Sequence, residues 1–260
     1  MQNSCQQAQL HVICLVSRLC ILCRDLPPPP VTSYRVKLAV KAIADAGPGV
    51  SKKAPIMYQL LLEMCNQLST MDLCVLWRAM LALGYYGALR GSEYAATTQD
   101  GIVQAPLVSD LKFTSCENKP AMVYTIRRSK TQRAPIQVPI GCTSTECCAV
   151  CYMTEYLVYR RALGTLHPHS YLFVTNDGRP VSKLQLDGII KQLVHKCGLH
   201  PSSYSAHSLR SGAATAAHQA GFTESQIKAL GHWASSAYTG YIRQSNTQGF
   251  KMSHRLVNIT

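Results

Sequence analysis

The sequence predicts a mainly helical domain with one small antiparallel sheet, an α+β architecture. Three observations predict it. Most of the second half of the chain repeats apolar residues at three- and four-residue spacing between capping residues and glycine stops. Residues 122–128 (MVYTIRR) and 134–140 (APIQVPI) are rich in β-branched side chains and flank the polar turn SKTQR, the pattern of a β-hairpin. Strand-forming content elsewhere is scarce.

The elements follow in chain order. Residues 10–23 (LHVICLVSRLCILC) form an apolar run that carries Arg18 and is too short to span a bilayer, so a packed helix is expected rather than an anchor. The run PPPP at 27–30 is a stiff spacer. Residues 35–46 (RVKLAVKAIADA) place Val36, Ala39, Val40 and Ile43 on one helical face, and GPG stops them. After the linker 47–53 no break of that kind recurs, so the division expected is a truncated or remnant helical segment at 1–50 and one domain at 51–260. Within that domain, 55–68 and 71–83 read as helices, the hairpin carries Lys130 near its tip, and 152–163 is helical. Ser182 caps a segment with Leu186, Ile189, Ile190, Leu193, Val194 and Cys197 on one side, closed by Gly198. Residues 207–220 form an Ala-rich helix ended by Gly221. Thr223 and Gln226 then make a capping box that opens a helix stopping at Gly231.

Charge narrows the partner. Lys and Arg number 26 against 13 acidic residues, a net charge of +13 with pI near 9.3, which favours a polyanion such as nucleic acid. The 12 Cys are spread over 260 residues without a signal peptide pattern, which fits a reducing compartment, nuclear or otherwise intracellular. Cys142, Cys147, Cys148 and Cys151 fall within ten residues and have enough thiols for tetrahedral zinc, but the spacing is crowded and irregular. Burial as small apolar side chains is the simpler expectation, and no metal or other cofactor is assigned.

The isolated polar residues carry the chemistry. His207 and Arg210 lie three apart on one helix, where an imidazole and a guanidinium can converge on an oxyanion. Arg90 follows an apolar helix in the Gly-flanked bend GALRGSEY, with Glu93 placed to orient it. His232, Trp233 and Tyr241 follow the Gly231 stop. A tyrosine that attacks phosphate needs cations to neutralise the transition state and a proton acceptor nearby, and this set offers both. A helix-turn-helix at 207–231 is the second reading, but it leaves Arg90, Lys130 and Tyr241 without a role.

The ordered set Arg90, Lys130, His207-x-x-Arg210, His232 and Tyr241, within ALRGSE, SKT, HSLRSGAAT and LGHWASSAYTGYI, resembles the catalytic domain of tyrosine recombinases, the phage-integrase superfamily. The wording around Trp233 resembles versions from eukaryotic mobile elements. The resemblance covers about residues 54–243 and includes LFVTNDGRPVS at 172–182. It implies a DNA breaking and rejoining fold acting on double-stranded DNA as a homo-oligomer, with no membrane and no small-molecule substrate. Tyr241 would form a 3′-phosphotyrosyl bond, and Arg90, Arg210 and His232 would hold the phosphate oxygens. His207 would manage the tyrosine proton, and Lys130 would protonate the departing 5′ oxygen. The residues alone leave Tyr238 open as nucleophile, and Lys183 or Arg133 as the general acid. The resemblance also implies the alternative of a catalytically silent, domesticated DNA-binding module.

Overall fold

The computed structural model describes residues 53–69, 71, 73–99, 102–127, 129, 134–233, 236–240 and 242. The segment 1–50 with its expected helices, and among the candidate residues Lys130, Arg133 and Tyr241, lie outside the described residues. Seven helices occur among the described residues, together with two small antiparallel sheets. None of the helices is long and apolar enough to cross a membrane.

The domain begins by hydrogen bonding rather than by coiling. The N–H groups of Ala54 and Ile56 donate to the carbonyls of Ser203 and Ser208, so α1 spans Tyr58–Gln67 instead of starting at 55. The second helix, α2 (Cys74–Tyr86), also starts later than its apolar run suggests. Leu73 takes a left-handed φ of 59°, which a helix cannot incorporate. At its other end α2 runs past Leu83 through Gly84, where a methyl group would meet the Tyr94 hydroxyl. The short helix α3 (Gly91–Tyr94) follows directly.

Next come a ribbon of β1 (Thr97–Gln99) and β2 (Ile102–Gln104), then a three-stranded sheet of β3 (Leu111–Cys116), β4 (Lys119–Ile126) and β5 (Ile136–Gly141) in that order. The β4–β5 hairpin is as the sequence suggests, with Ile126 opposite Ile136. The expectation of little other strand is corrected, since β1, β2 and β3 are added. Of β3 only Leu111 is buried, so its sequence carries no alternation to read. The opposite case is β4, whose Met122, Tyr124 and Ile126 turn inward beside Val138 and Ile140 of β5.

Helix α4 (Ala149–Ala162) packs on this sheet and against α2. Its last turn supplies Arg160, buried, whose Nη1 donates to the carbonyls of Tyr171 (2.5 Å) and Leu172 (2.9 Å) and so ties down the loop that follows. Helix α5 (Lys183–Lys196) is capped by Ser182, whose hydroxyl accepts from the N–H of Gln185. The α6 helix (Ala206–Gln219) ends at Gly221 (φ 84°), and α7 (Glu224–Leu230) opens on Thr223, whose hydroxyl accepts from the N–H of Gln226. Gly212 of α6 lies so close to the Ile56 carbonyl that any side chain there would collide with backbone. The core is continuous through α1, α2, α4, α5, α6 and the sheet, while a small second cluster joins Ala214, Ala217, Ile227, Trp233 and Tyr238.

Candidate active site

The site is built where α6 passes between the end of α2 and the end of α7. Arg210 is fully buried on α6. Its Nη1 donates to the carbonyl of Ala88, and its Nη2 donates to the carbonyl of Gly231 at 2.5 Å. The Trp233 ring covers the guanidinium, 4.2 Å from centroid to Cζ, a cation–π stack out of contact with bulk water. One side chain therefore joins three segments that are far apart in sequence.

The backbone is unusual at the first acceptor and just after the second. Ala88 (φ 45°) and His232 (φ 51°) both adopt left-handed conformations that residues with a Cβ take at a cost of about 1 kcal/mol or more. Gly231 has no alternative, because a Cβ on it would run into the Trp233 indole. The turn is kept by hydrogen bonds from the N–H groups of His232 to Ala229 (3.3 Å) and of Trp233 to Lys228 (2.9 Å). Strain of this kind persists only where surrounding contacts enforce it, and it clusters at functional sites.

Arg90 is held differently. It is the N-cap of α3, and Glu93, three residues on, accepts from both its backbone N–H (2.8 Å) and its Nη1 (2.7 Å). The Arg90 side chain remains 20% exposed whereas that of Glu93 is 1% exposed, so the carboxylate is the buried strut and the cation reaches the surface. Glu93 also accepts from the Ser129 hydroxyl at 3.2 Å, and its carbonyl accepts from Tyr124 at 2.7 Å. The residue that precedes Lys130 in the chain is thus tied to the carboxylate that holds Arg90.

His232 lies within the field of both arginines. Burial, chiefly, pulls its imidazole below the ordinary histidine value. The nearby Glu93 carboxylate opposes this, and Arg210 and Arg90 add to the lowering. A neutral ring at neutral pH follows. Its Nε2 is buried and has no hydrogen-bond partner among the described residues. His207 stands exposed in the first turn of α6, one turn before Arg210.

Of the six candidate residues, the structure brings Arg90, Arg210 and His232 to one place and sets His207 on the helix that carries Arg210. Two alternatives also find their positions. Tyr238 is buried in the small second cluster, its ring centroid 6.2 Å from that of Trp233 and 5.9 Å from the Lys228 ammonium, and burial and the Glu224 carboxylate raise its pKa. A phenol placed there is harder to ionise and is engaged in packing. Lys183 pairs with Asp187 at 2.5 Å, and Asp187 also accepts from the N–H of Ala206 (2.7 Å), the first residue of α6. Trp233 packs both in the small second cluster and against the Arg210 cation. Asp187 was missed as the residue that anchors the start of α6. An i,i+4 Lys–Asp pair is its only local signal, and nothing local connects position 187 to 206.

An α+β domain in which two arginines and a neutral histidine meet, with strained backbone on either side, defines a centre suited to an anionic oxygen. Residues 57–248 match the phage integrase family, and the chain belongs to that family. Solved structures agree at the level of fold. The XerH site-specific recombinase in its post-cleavage complex with palindromic difH substrate superposes with a TM-score of 0.58 at 17% identity, over 78% of this chain and 53% of that one. The XerA recombinase gives 0.55 at 19%, over 85% and 72%. The Tn1549 transposon integrase in complex with transposon right end DNA gives 0.53 at 15%, over 83% and 70%. The chain spans about half the length of that XerH chain. No curated protein sequence matches it.

Proposed function

We propose that this chain is a site-specific recombinase or integrase that cuts and reseals double-stranded DNA through a covalent 3′-phosphotyrosyl intermediate. The observation that carries the reading is the meeting of Arg90, Arg210 and His232 around one buried turn, in a chain of the phage integrase family. In the reaction, the Tyr241 hydroxyl attacks the phosphorus of a backbone phosphodiester and its proton passes to His207. The bond to the 5′ oxygen breaks, and Lys130 supplies the proton that this oxygen takes up. The phosphate remains joined to the tyrosine, so an incoming 5′ hydroxyl can reverse the step without a nucleotide cofactor. Arg90, Arg210 and His232 stabilise the charge on the non-bridging oxygens.

The division of labour follows from exposure. Arg90 reaches the surface and meets the phosphate first. Arg210 donates from each terminal nitrogen to a carbonyl and supplies its charge from a fully buried position. Neutral His232 donates one hydrogen bond. Burial of Tyr238 in the second cluster supports Tyr241 as the nucleophile, and the tie from Ser129 to Glu93 supports Lys130, the next residue in the chain, as the acid.

The reading extends to a homo-oligomer assembled on DNA, to a nuclear or otherwise intracellular setting, and to descent from a eukaryotic mobile element, this last supported by the wording around Trp233. The domain carrying the chemistry is 51–260.

The test is incubation of the whole chain with a pool of nicked duplexes whose flanks are randomised. A covalent protein–DNA species is expected, retained by Tyr238→Phe and lost in Tyr241→Phe. Salt-dependent binding without any adduct would instead identify a silent DNA-binding module.

A further inference from the structure

The cysteine-rich segment between β5 and α4 is not used by this chemistry, and the structure sorts its thiols into two groups. Cys147 turns into the core, with its Sγ 3.7 Å from that of Cys65, and both are buried. The other three turn toward each other. Cys142, one residue beyond β5, has its Sγ 3.5 Å from that of Cys148 and 3.8 Å from that of Cys151, and all three sulfurs lie within 4.8 Å of one another. Burial as small apolar side chains therefore describes Cys147 and Cys148 but not Cys142, which is half-buried, or Cys151, which is exposed.

The spacing matches a metal–thiolate tetrahedron. A zinc–sulfur bond of about 2.3 Å places the sulfurs of a tetrahedral site about 3.8 Å apart. Cys148 is the N-cap of α4 and Cys151 lies in its first turn, so C-x-x-C opens the helix as in a zinc knuckle. The backbone N–H of Thr143 donates to the Cys148 sulfur at 3.4 Å, an interaction that steadies a thiolate ligand. A third sulfur from the neighbouring strand end distinguishes the group from a two-thiol redox pair.

From this convergence we infer that Cys142, Cys148 and Cys151 form a binding site for a thiophilic divalent cation of the zinc class, with solvent in the fourth position. Each thiol gives up its proton as the metal enters. The ion joins the end of β5 to the start of α4. Cys142 remains laddered to β4 through its N–H and the Pro120 carbonyl (2.8 Å), so the metal braces the base of the hairpin whose far end carries Ser129. Its role is structural, and the inference stands apart from the DNA chemistry.

Cobalt(II) titration of the full-length chain, reduced with a phosphine, tests it. One equivalent is expected to produce the sulfur-to-cobalt charge-transfer band and the intense visible bands of a tetrahedral thiolate site, and zinc should displace it. Cys142→Ser, Cys148→Ser and Cys151→Ser should each weaken binding at least about 100-fold, while Cys116→Ser, an exposed thiol on β3, should leave it intact. Far-UV circular dichroism of Cys151→Ser, a change at an exposed position, checks that loss of metal is not loss of fold. No cobalt spectrum in the reduced chain would overturn the inference, as would a spectrum that survives in all three variants.

Discussion

Arg210 and Arg90 hold their charges in opposite ways. Arg210 has no exposed surface, and its guanidinium donates to two carbonyls and lies against an indole face. Arg90 is partly exposed and rests on a carboxylate. Glu93 offsets much of the field of Arg90 until an anion approaches. The lesson is that the first arginine is a strut of the fold as well as a source of charge, and the second is mainly a contact. Substitutions should separate these roles.

The largest effect is expected from Arg210→Ala, which strands the Ala88 and Gly231 carbonyls and uncovers one face of Trp233. A loss of about 2–5 kcal/mol in stability should appear in urea unfolding. Arg210→Lys keeps the charge but cannot span both carbonyls, so it should recover only part of that loss. Gly231→Ala comes next. Its new methyl group is directed into the Trp233 ring, and with overpacking the loss should be about 1–3 kcal/mol. Should Gly231→Ala unfold like the wild type, the stacking of Trp233 on Arg210 would not be what holds this turn. Arg90→Lys should change stability by less than about 1 kcal/mol yet slow adduct formation about 100-fold or more, since an ammonium cannot offer paired donors to a phosphate. Equal stability losses at the two arginines would erase the contrast.

The smallest effect concerns pH. His232 is held below the ordinary histidine value, chiefly by burial, so on acidification the unfolded chain takes up this proton before the folded one does. Its contribution favours the folded state above the ordinary value and is lost as pH falls through that value toward the lowered one. Thermal unfolding of the wild type should therefore decline more steeply below about pH 6.5 than that of His232→Gln. Parallel curves would contradict the buried neutral ring.

Legibility in the sequence depended on the range of the signal. Ser182, Thr223 and Gly221 act on their own helix ends, and the helices they bound lie where their spacing suggests. Strand β3 was hidden because five of its six residues are exposed and alternate with nothing. The ribbon of β1 and β2 is too short to show a period. At the site, Glu93 was readable as the partner of Arg90 from a three-residue separation, but Arg210 meets Ala88 across 122 positions. Carbonyl acceptors leave no trace in residue type, so the cradle of Arg210 was invisible although Arg210 itself was not.

The most direct measurement is mass-spectrometric mapping of the protein–DNA species formed on nicked duplexes. The account predicts a single nucleotide-bearing peptide modified at Tyr241, linked to a 3′ phosphate and absent from Arg90→Ala protein that remains folded. A modification at Tyr238 or at any other residue, or an adduct undiminished without Arg90, would contradict it.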